Sequence, residues 1–239
     1  MSIMHWEKVG AVARIVMTDG ENRHKPEYNE TILRLFDEIE ADKDIRSVII
    51  TSYDPKFFSL GIDLDWAMRA HSDPKRAGEM KAFLYGLNKM FKRILLFPTP
   101  VIAVINGHAF GDGSIMACAC DFRLMRADRG FFCFPEVDIN IPFMPGMLAL
   151  VRRAIPGYKF EEMALTGKRV GGKEMEEHHI VIKACADEKE LQEAGLAFAK
   201  TFQKERGIFG ELKKRMNKEI VRVMDEEDPP YIEAARLLA

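Results

Sequence analysis

The sequence predicts an α/β fold, a largely buried sheet covered by helices, followed by a helical C-terminal part. Three observations predict it. Short β-branched runs alternate with longer stretches whose apolar residues recur at helical spacing. The strand-like runs are apolar enough to be buried. Beyond about residue 145 helical spacing continues between polar loops, with little strand signal.

Val12-Ala13-Arg14-Ile15-Val16-Met17 alternates apolar residues as a strand does, and Asp19-Gly20-Glu21-Asn22 breaks it. From Pro26 the period changes: Ile32, Leu33, Leu35, Phe36 and Ile39 define a helix, with Pro26 suited to its first turn. Ser47-Val48-Ile49-Ile50-Thr51 reads as a buried strand. Residues 77–97 form a helix with Phe83, Leu84, Leu87, Met90, Phe91, Ile94 and Leu95 on its apolar face, ended by Pro98-Thr99-Pro100. Val101-Ile102-Ala103-Val104-Ile105 is a third strand, stopped by Asn106-Gly107. A short buried helix is expected over 114–120 and short strands over 122–125 and 131–134.

Composition narrows the function. The chain has 239 residues, with 35 Lys+Arg against 37 Asp+Glu, a net charge of −2. That balance gives no general pull toward nucleic acid or an anionic membrane. No apolar run approaches the ~20 residues of a membrane span. The N-terminus has no basic segment followed by an apolar one, and the end of the chain, Arg236-Leu237-Leu238-Ala239, is not a peroxisomal tripeptide. A cytoplasmic protein is the expectation. Cys118, Cys120, Cys133 and Cys185 show no CxxC spacing and three lie in apolar runs, so buried thiols are expected rather than disulfides or a zinc site. His178-His179 has no third ligand at sensible spacing, and no metal is expected.

Three segments could carry chemistry. Phe57-Phe58-Ser59-Leu60-Gly61-Ile62-Asp63-Leu64 follows a strand and precedes a helix; Gly61 permits a tight turn with an exposed N–H, and Asp63 is placed to cap the helix. Asn106-Gly107-His108-Ala109-Phe110-Gly111-Asp112-Gly113-Ser114 links a buried strand to an apolar helix, and reads equally as a tight turn or as an anion site at a helix start. It lacks the GK[ST] of a phosphate-binding loop and the spacing of a dinucleotide fingerprint. In Phe131-Phe132-Cys133-Phe134-Pro135-Glu136-Val137-Asp138-Ile139, Glu136 stands in an unusually apolar stretch, where desolvation raises a carboxyl pKa toward the range of a general base. Asp138 competes with it, and in an extended segment the two share a face. No GxSxG elbow is present.

Together and in this order, these segments resemble the enoyl-CoA hydratase/isomerase (crotonase) superfamily. Its "FSAGADL", "P-x-I-A-x-[VI]-N-G-x-[AC]-x-G-G-G", "A-C-D-x-R-[IL]" and "[PN]-E" motifs stand here as Phe58–Leu64, Pro100–Gly113, Ala119–Leu124 and Pro135-Glu136. Ala164-Leu165-Thr166-Gly167-Lys168-Arg169-Val170 looks like the family's "LTGxxI". The resemblance spans roughly residues 8–185.

The resemblance implies a spiral of ββα repeats over residues 1–190, with a helical segment, 191–239, used for trimer contacts, and a homotrimer or dimer of trimers. It implies acyl-CoA as substrate and no separate cofactor. Two backbone N–H groups, of Ile62 and Asp112, are expected to hold the thioester oxygen, beside Gly61 and Gly111. The second donor is usually glycine in the family, so the Asp112 carboxylate must point away from the thioester. Leu60 is expected to offer its backbone to the adenine, and Arg23 and Lys25 are candidates for the CoA phosphates. Family hydratases carry two glutamates; here the first position is Ile115 and only the second, Glu136, is acidic. That pattern resembles the Δ3,Δ2-enoyl-CoA isomerases, and Asp121–Gly130 with Glu136–Ile139 looks like the peroxisomal-type isomerases of plants; the alternatives are an enoyl-CoA hydratase or other crotonase-type lyase or hydrolase, and a non-catalytic CoA-binding homologue. Phe134, Val137, Ile139 and Phe143 are expected to keep the site dry.

Overall fold

The computed structural model describes residues 2–234; residue 1 and residues 235–239, among them the C-terminal tripeptide, lie outside them. In chain order the elements are β1 (Met4–Val9), β2 (Val12–Met17), α1 (Pro26–Ala41), β3 (Ser47–Ser52), β4 (Phe57–Ser59), α2 (Leu64–Ser72) and α3 (Ala77–Leu95). Then come β5 (Val101–Ile105), β6 (His108–Phe110), α4 (Asp112–Ala119), β7 (Phe122–Arg126), β8 (Phe132–Cys133) and α5 (Glu136–Ile139). The remainder is α6 (Pro145–Ala154), α7 (Gly157–Thr166), α8 (Gly172–Glu177), β9 (Lys183–Cys185), α9 (Glu188–Lys200), α10 (Arg206–Met216), α11 (Lys218–Glu226) and α12 (Pro229–Glu233).

Six strands form one sheet in the order β1-β2-β3-β5-β7-β9, and β4-β6-β8 form a second. Among the described strands of the large sheet, β1 alone runs antiparallel to its neighbour. The chain climbs as ββα repeats: of β3 and β4, of β5 and β6, and of β7 and β8, the first strand joins the large sheet and the second the small one, before a helix returns the chain. This is the expected spiral.

Strand alternation builds two cores. Val48 and Ile50 of β3, with Val101, Ala103 and Ile105 of β5, face the main core shared with α1, α3, α4 and α6. Ile49, Ile102, Val104 and Leu124 face the other side, where Leu191 and Ala199 of α9 cover them. The sheet is thus buried on both faces, which is why its strands read as near-continuous apolar runs. The division expected near residue 190 falls inside α9, and Ile220, Met224 and Ile232 of the last helices belong to the main core.

Four strands, β1, β4, β6 and β9, went unread in the sequence; β4, β6 and β9 have three residues each, too few to show a period of two, and β1 is an edge strand with His5, Glu7 and Lys8 among its six residues. The strand expected over 131–134 shrinks to Phe132-Cys133. All four cysteines are buried free thiols. No described helix is long and apolar enough to cross a membrane.

Candidate active site

The small sheet positions the site. Its three parallel strands end side by side, and each end delivers one functional group.

After β4, Gly61 turns with φ +73°. Leu60 N–H donates to Glu21 O (3.0 Å), His24 N–H to Gly61 O (2.7 Å) and Asp63 N–H to His24 O (2.9 Å), so this loop is bridged to His24 on both sides of Ile62. Asp63 accepts from Trp66 N–H (2.9 Å) and caps α2, as its sequence position suggests. After β6, Gly111 turns with φ +52° and α4 starts at Asp112. The two corners nearly touch: a Cβ on Gly61 would lie 2.7 Å from both Asp112 N and Phe110 O. Among the described residues, neither Ile62 N–H nor Asp112 N–H donates a hydrogen bond. Two free N–H groups at neighbouring corners, one at a helix start, are an arrangement able to receive developing negative charge.

After β8 comes Glu136. Its Oε2 is buried with no hydrogen-bond partner, and its Oε1 would lie 3.6 Å from a Cβ on Gly111. Burial raises its pKa to about 8 against the opposing pull of a backbone hydrogen bond. Such a carboxylate is a strong enough base to take a proton beside a thioester.

Leu60, Ile62, Gly111, Asp112 and Glu136 line one cavity of about 190 Å³, with Arg23 at its edge. Glu136 and Ile141 also line a larger cavity of about 610 Å³, walled by Val137, Phe143, Leu148, Phe160, Ala164 and Leu165. The carboxylate thus stands between a small notch that carries the two free N–H groups and a larger apolar chamber, an arrangement able to hold a polar carbonyl on one side and an aliphatic chain on the other. Gly61, expected beside the substrate, lines neither cavity.

Several expectations change. Glu136 and Asp138 do not share an extended face, because the segment is the short helix α5 starting after Pro135. Asp138 is exposed, packs against Gly167 and lines neither cavity. Val137 lines the larger cavity and Ile139 the notch although they are 48% and 37% exposed, and Phe143 walls the larger cavity; Phe134 lines neither and stands behind, stacked edge to face with Phe143 and Phe160. Ile115 is 2% exposed, belongs to the core and lines neither cavity. Arg23 is tied to Glu21 (2.7 Å); Lys25 pairs with Asp19 (3.4 Å) and lines neither cavity.

The Asp112 carboxylate is turned to His24, whose Nδ1 is hydrogen-bonded to Oδ2. Sequence reasoning missed His24. The available signal was indirect: a carboxylate at a buried helix start demands a partner. Among the described residues, no group of three His, Cys, Asp or Glu side chains is arranged to hold a metal ion.

The chain matches the sequence model of the enoyl-CoA hydratase/isomerase family over residues 7–231. It belongs to that family. Among related family members, enoyl-CoA delta isomerase 2, peroxisomal, of Arabidopsis thaliana is 36% identical over 186 residues, 77% of this chain and 78% of that protein. Enoyl-CoA delta isomerase 3 of the same plant is 32% identical over 227 residues, 92% and 94% of the two chains. The crystal structure of an enoyl-CoA hydratase from Bacillus halodurans matches with a TM-score of 0.87, covering 98% of this chain and 96% of that one at 22% identity, a likeness that carries the crotonase fold.

Proposed function

We propose that this family member is an enoyl-CoA isomerase that moves the double bond of a 3-enoyl-CoA to the 2-trans position. The observation that carries the reading is one half-buried glutamate whose Oε2 is sealed from solvent without a partner, beside two free N–H groups, with isoleucine where the family's hydratases hold a second glutamate. Ionised Glu136 takes a proton from C2. The electron pair moves into the thioester, whose oxygen gathers negative charge against the N–H groups of Ile62 and Asp112. The acid form of Glu136 then returns the proton to C4, and the double bond comes to rest in conjugation with the carbonyl. One carboxylate serves both steps, and no water enters the balance.

Gly61 and Gly111 give the notch its shape, and the Leu60 backbone contacts the adenine. Arg23 is the better of the two candidate cations for the CoA phosphates because it lines the notch. The larger chamber takes the acyl chain. A homotrimer or dimer of trimers is part of the reading, supported by an apolar stripe on α10: Ile208, Leu212 and Met216, four residues apart, are 60%, 50% and 75% exposed. Light scattering of a stable monomer at micromolar concentration overturns that part. A cytoplasmic location is proposed too, and recovery of a tagged copy from an organelle fraction overturns it.

The test is turnover of 3-hexenoyl-CoA against hydration of crotonyl-CoA under the same conditions. Isomerisation is expected to be much the faster, and hydration at an equal rate overturns the reading. Glu136→Gln is expected to lower isomerisation by ~10²–10⁴-fold with acyl-CoA binding little changed. Near-normal turnover by that variant removes Glu136 from its role.

A further inference from the structure

One buried polar cluster has no part in the steps above. His24 and Ser59 are 0% exposed and Asp112 4%. His24 Nδ1 bonds Asp112 Oδ2, 88 residues away, and His24 Nε2 lies 3.1 Å from Ser59 Oγ. The ring stacks on Tyr28 at 4.2 Å between centroids, which fixes its plane. The order Ser-His-Asp is that of a hydrolase triad, but Ser59 cannot act as a nucleophile: its hydroxyl is sealed in the fold and donates to Asn22 O (2.8 Å).

Counting protons gives the charge of the cluster. Ser59 gives its single proton to Asn22 O and accepts from Gly61 N–H (3.1 Å), so His24 Nε2 donates to Ser59. One further proton lies between Nδ1 and the Asp112 carboxylate. On either atom it leaves the pair with no net charge. A bare Asp112 carboxylate would oppose the negative charge gathering on the thioester oxygen; a neutral pair does not.

The same residue sets the geometry. The His24 backbone holds Gly61 O and Asp63 N–H, on either side of the Ile62 donor. Its ring holds the side chain of Asp112, the residue that supplies the other donor. Ser59, bonded to both the ring and Gly61 N–H, closes the loop. We infer that His24 is the positioning residue of the oxyanion hole, fixing the separation of the Ile62 and Asp112 N–H groups and cancelling the charge of the Asp112 carboxylate that this chain carries there. The inference rests on the isomerase reading above.

Three proteins separate it from a merely structural role. His24→Ala is expected to lower kcat for 3-hexenoyl-CoA by ~10²-fold, the size of losing one oxyanion donor, with Kd for hexanoyl-CoA changed less than about 3-fold. His24→Ala/Asp112→Gly keeps the N–H and removes the stranded carboxylate, and is expected to regain at least about 10-fold of that loss. The ultraviolet absorbance of the enolate of a bound 3-ketoacyl-CoA reads the hole without turnover; it is expected to fall in the single variant and return in the double. If His24→Ala does not fold, His24→Gln and His24→Gln/Asp112→Gly carry the same comparison. Wild-type kcat and enolate signal in the single variant, or a double variant no better than the single, overturns the inference alone. A wild-type protein that neither isomerises nor binds the enolate overturns the proposed function with it.

Discussion

The corners at Gly61 and Gly111 are built alike and used differently. Each follows a strand of the small sheet, turns on a glycine at positive φ, presents a free N–H and enters a helix with an aspartate close behind. Asp63 sits before its helix, half-buried, and caps it. Asp112 sits one place further on, inside the helix start and buried, where its side chain cannot cap and has to be matched by another part of the chain. A shift of one position turns a local stabilising group into a long-range tie. The corners also differ in what stands nearest: Glu136 Oε1 faces Gly111, whereas the backbone of the other corner faces Gly61.

The largest test of this comparison is alanine at each glycine. Gly61→Ala drives a Cβ to 2.7 Å from Asp112 N and Phe110 O, so the corners must part and the two donors no longer converge. A loss of ~10²–10³ in kcat is expected. Gly111→Ala meets nothing nearer than 3.6 Å, and is expected to cost only the backbone strain of positive φ, about 1–3 kcal/mol in thermal or denaturant unfolding, with a smaller loss of activity. Equal losses from both would show that the corners are not held together as described.

Titration of Glu136 comes next. The base works ionised, so kcat/KM is expected to rise about 10-fold per pH unit up to an inflection near 8 and then level. Stability moves the opposite way. The folded-state pKa lies above the ordinary value of 4.5, so between 4.5 and about 8 the folded protein binds more protons than the unfolded chain, and stability falls as pH rises through that window. Glu136→Gln is expected to flatten this decline, leaving the variant more stable at pH 9 by an amount on the order of 1–3 kcal/mol. A Tm–pH curve identical in wild type and variant would mean that the carboxyl is not desolvated.

The smallest effect is at the other aspartate. Asp63→Ala removes a cap and is expected to cost about 1 kcal/mol of unfolding free energy while kcat stays within about 2-fold of wild type. A loss of activity as large as that of His24→Ala would erase the distinction between the two corners.

By itself the sequence determined the alternation of strands and helices, because covered strands and amphipathic helices impose their own apolar periods. It also carried the motifs that mark Ile62, Asp112 and Glu136, and the cap at Asp63, since each of these depends on residues a few positions apart. Tertiary structure decided the rest. The three-residue strands β6 and β9 exist only because neighbouring strands complete their hydrogen bonds. Asp138 left the site because a short helix replaced an extended segment, and Ile115 went into the core instead of the cavity wall. The pairing of His24 with Asp112 bridges 88 residues and leaves no local pattern. The raised pKa on which the proposed role of Glu136 rests is likewise a property of the folded chain, since desolvation arises only when the small sheet brings its strand ends together and Phe134, Phe143 and Phe160 close behind them.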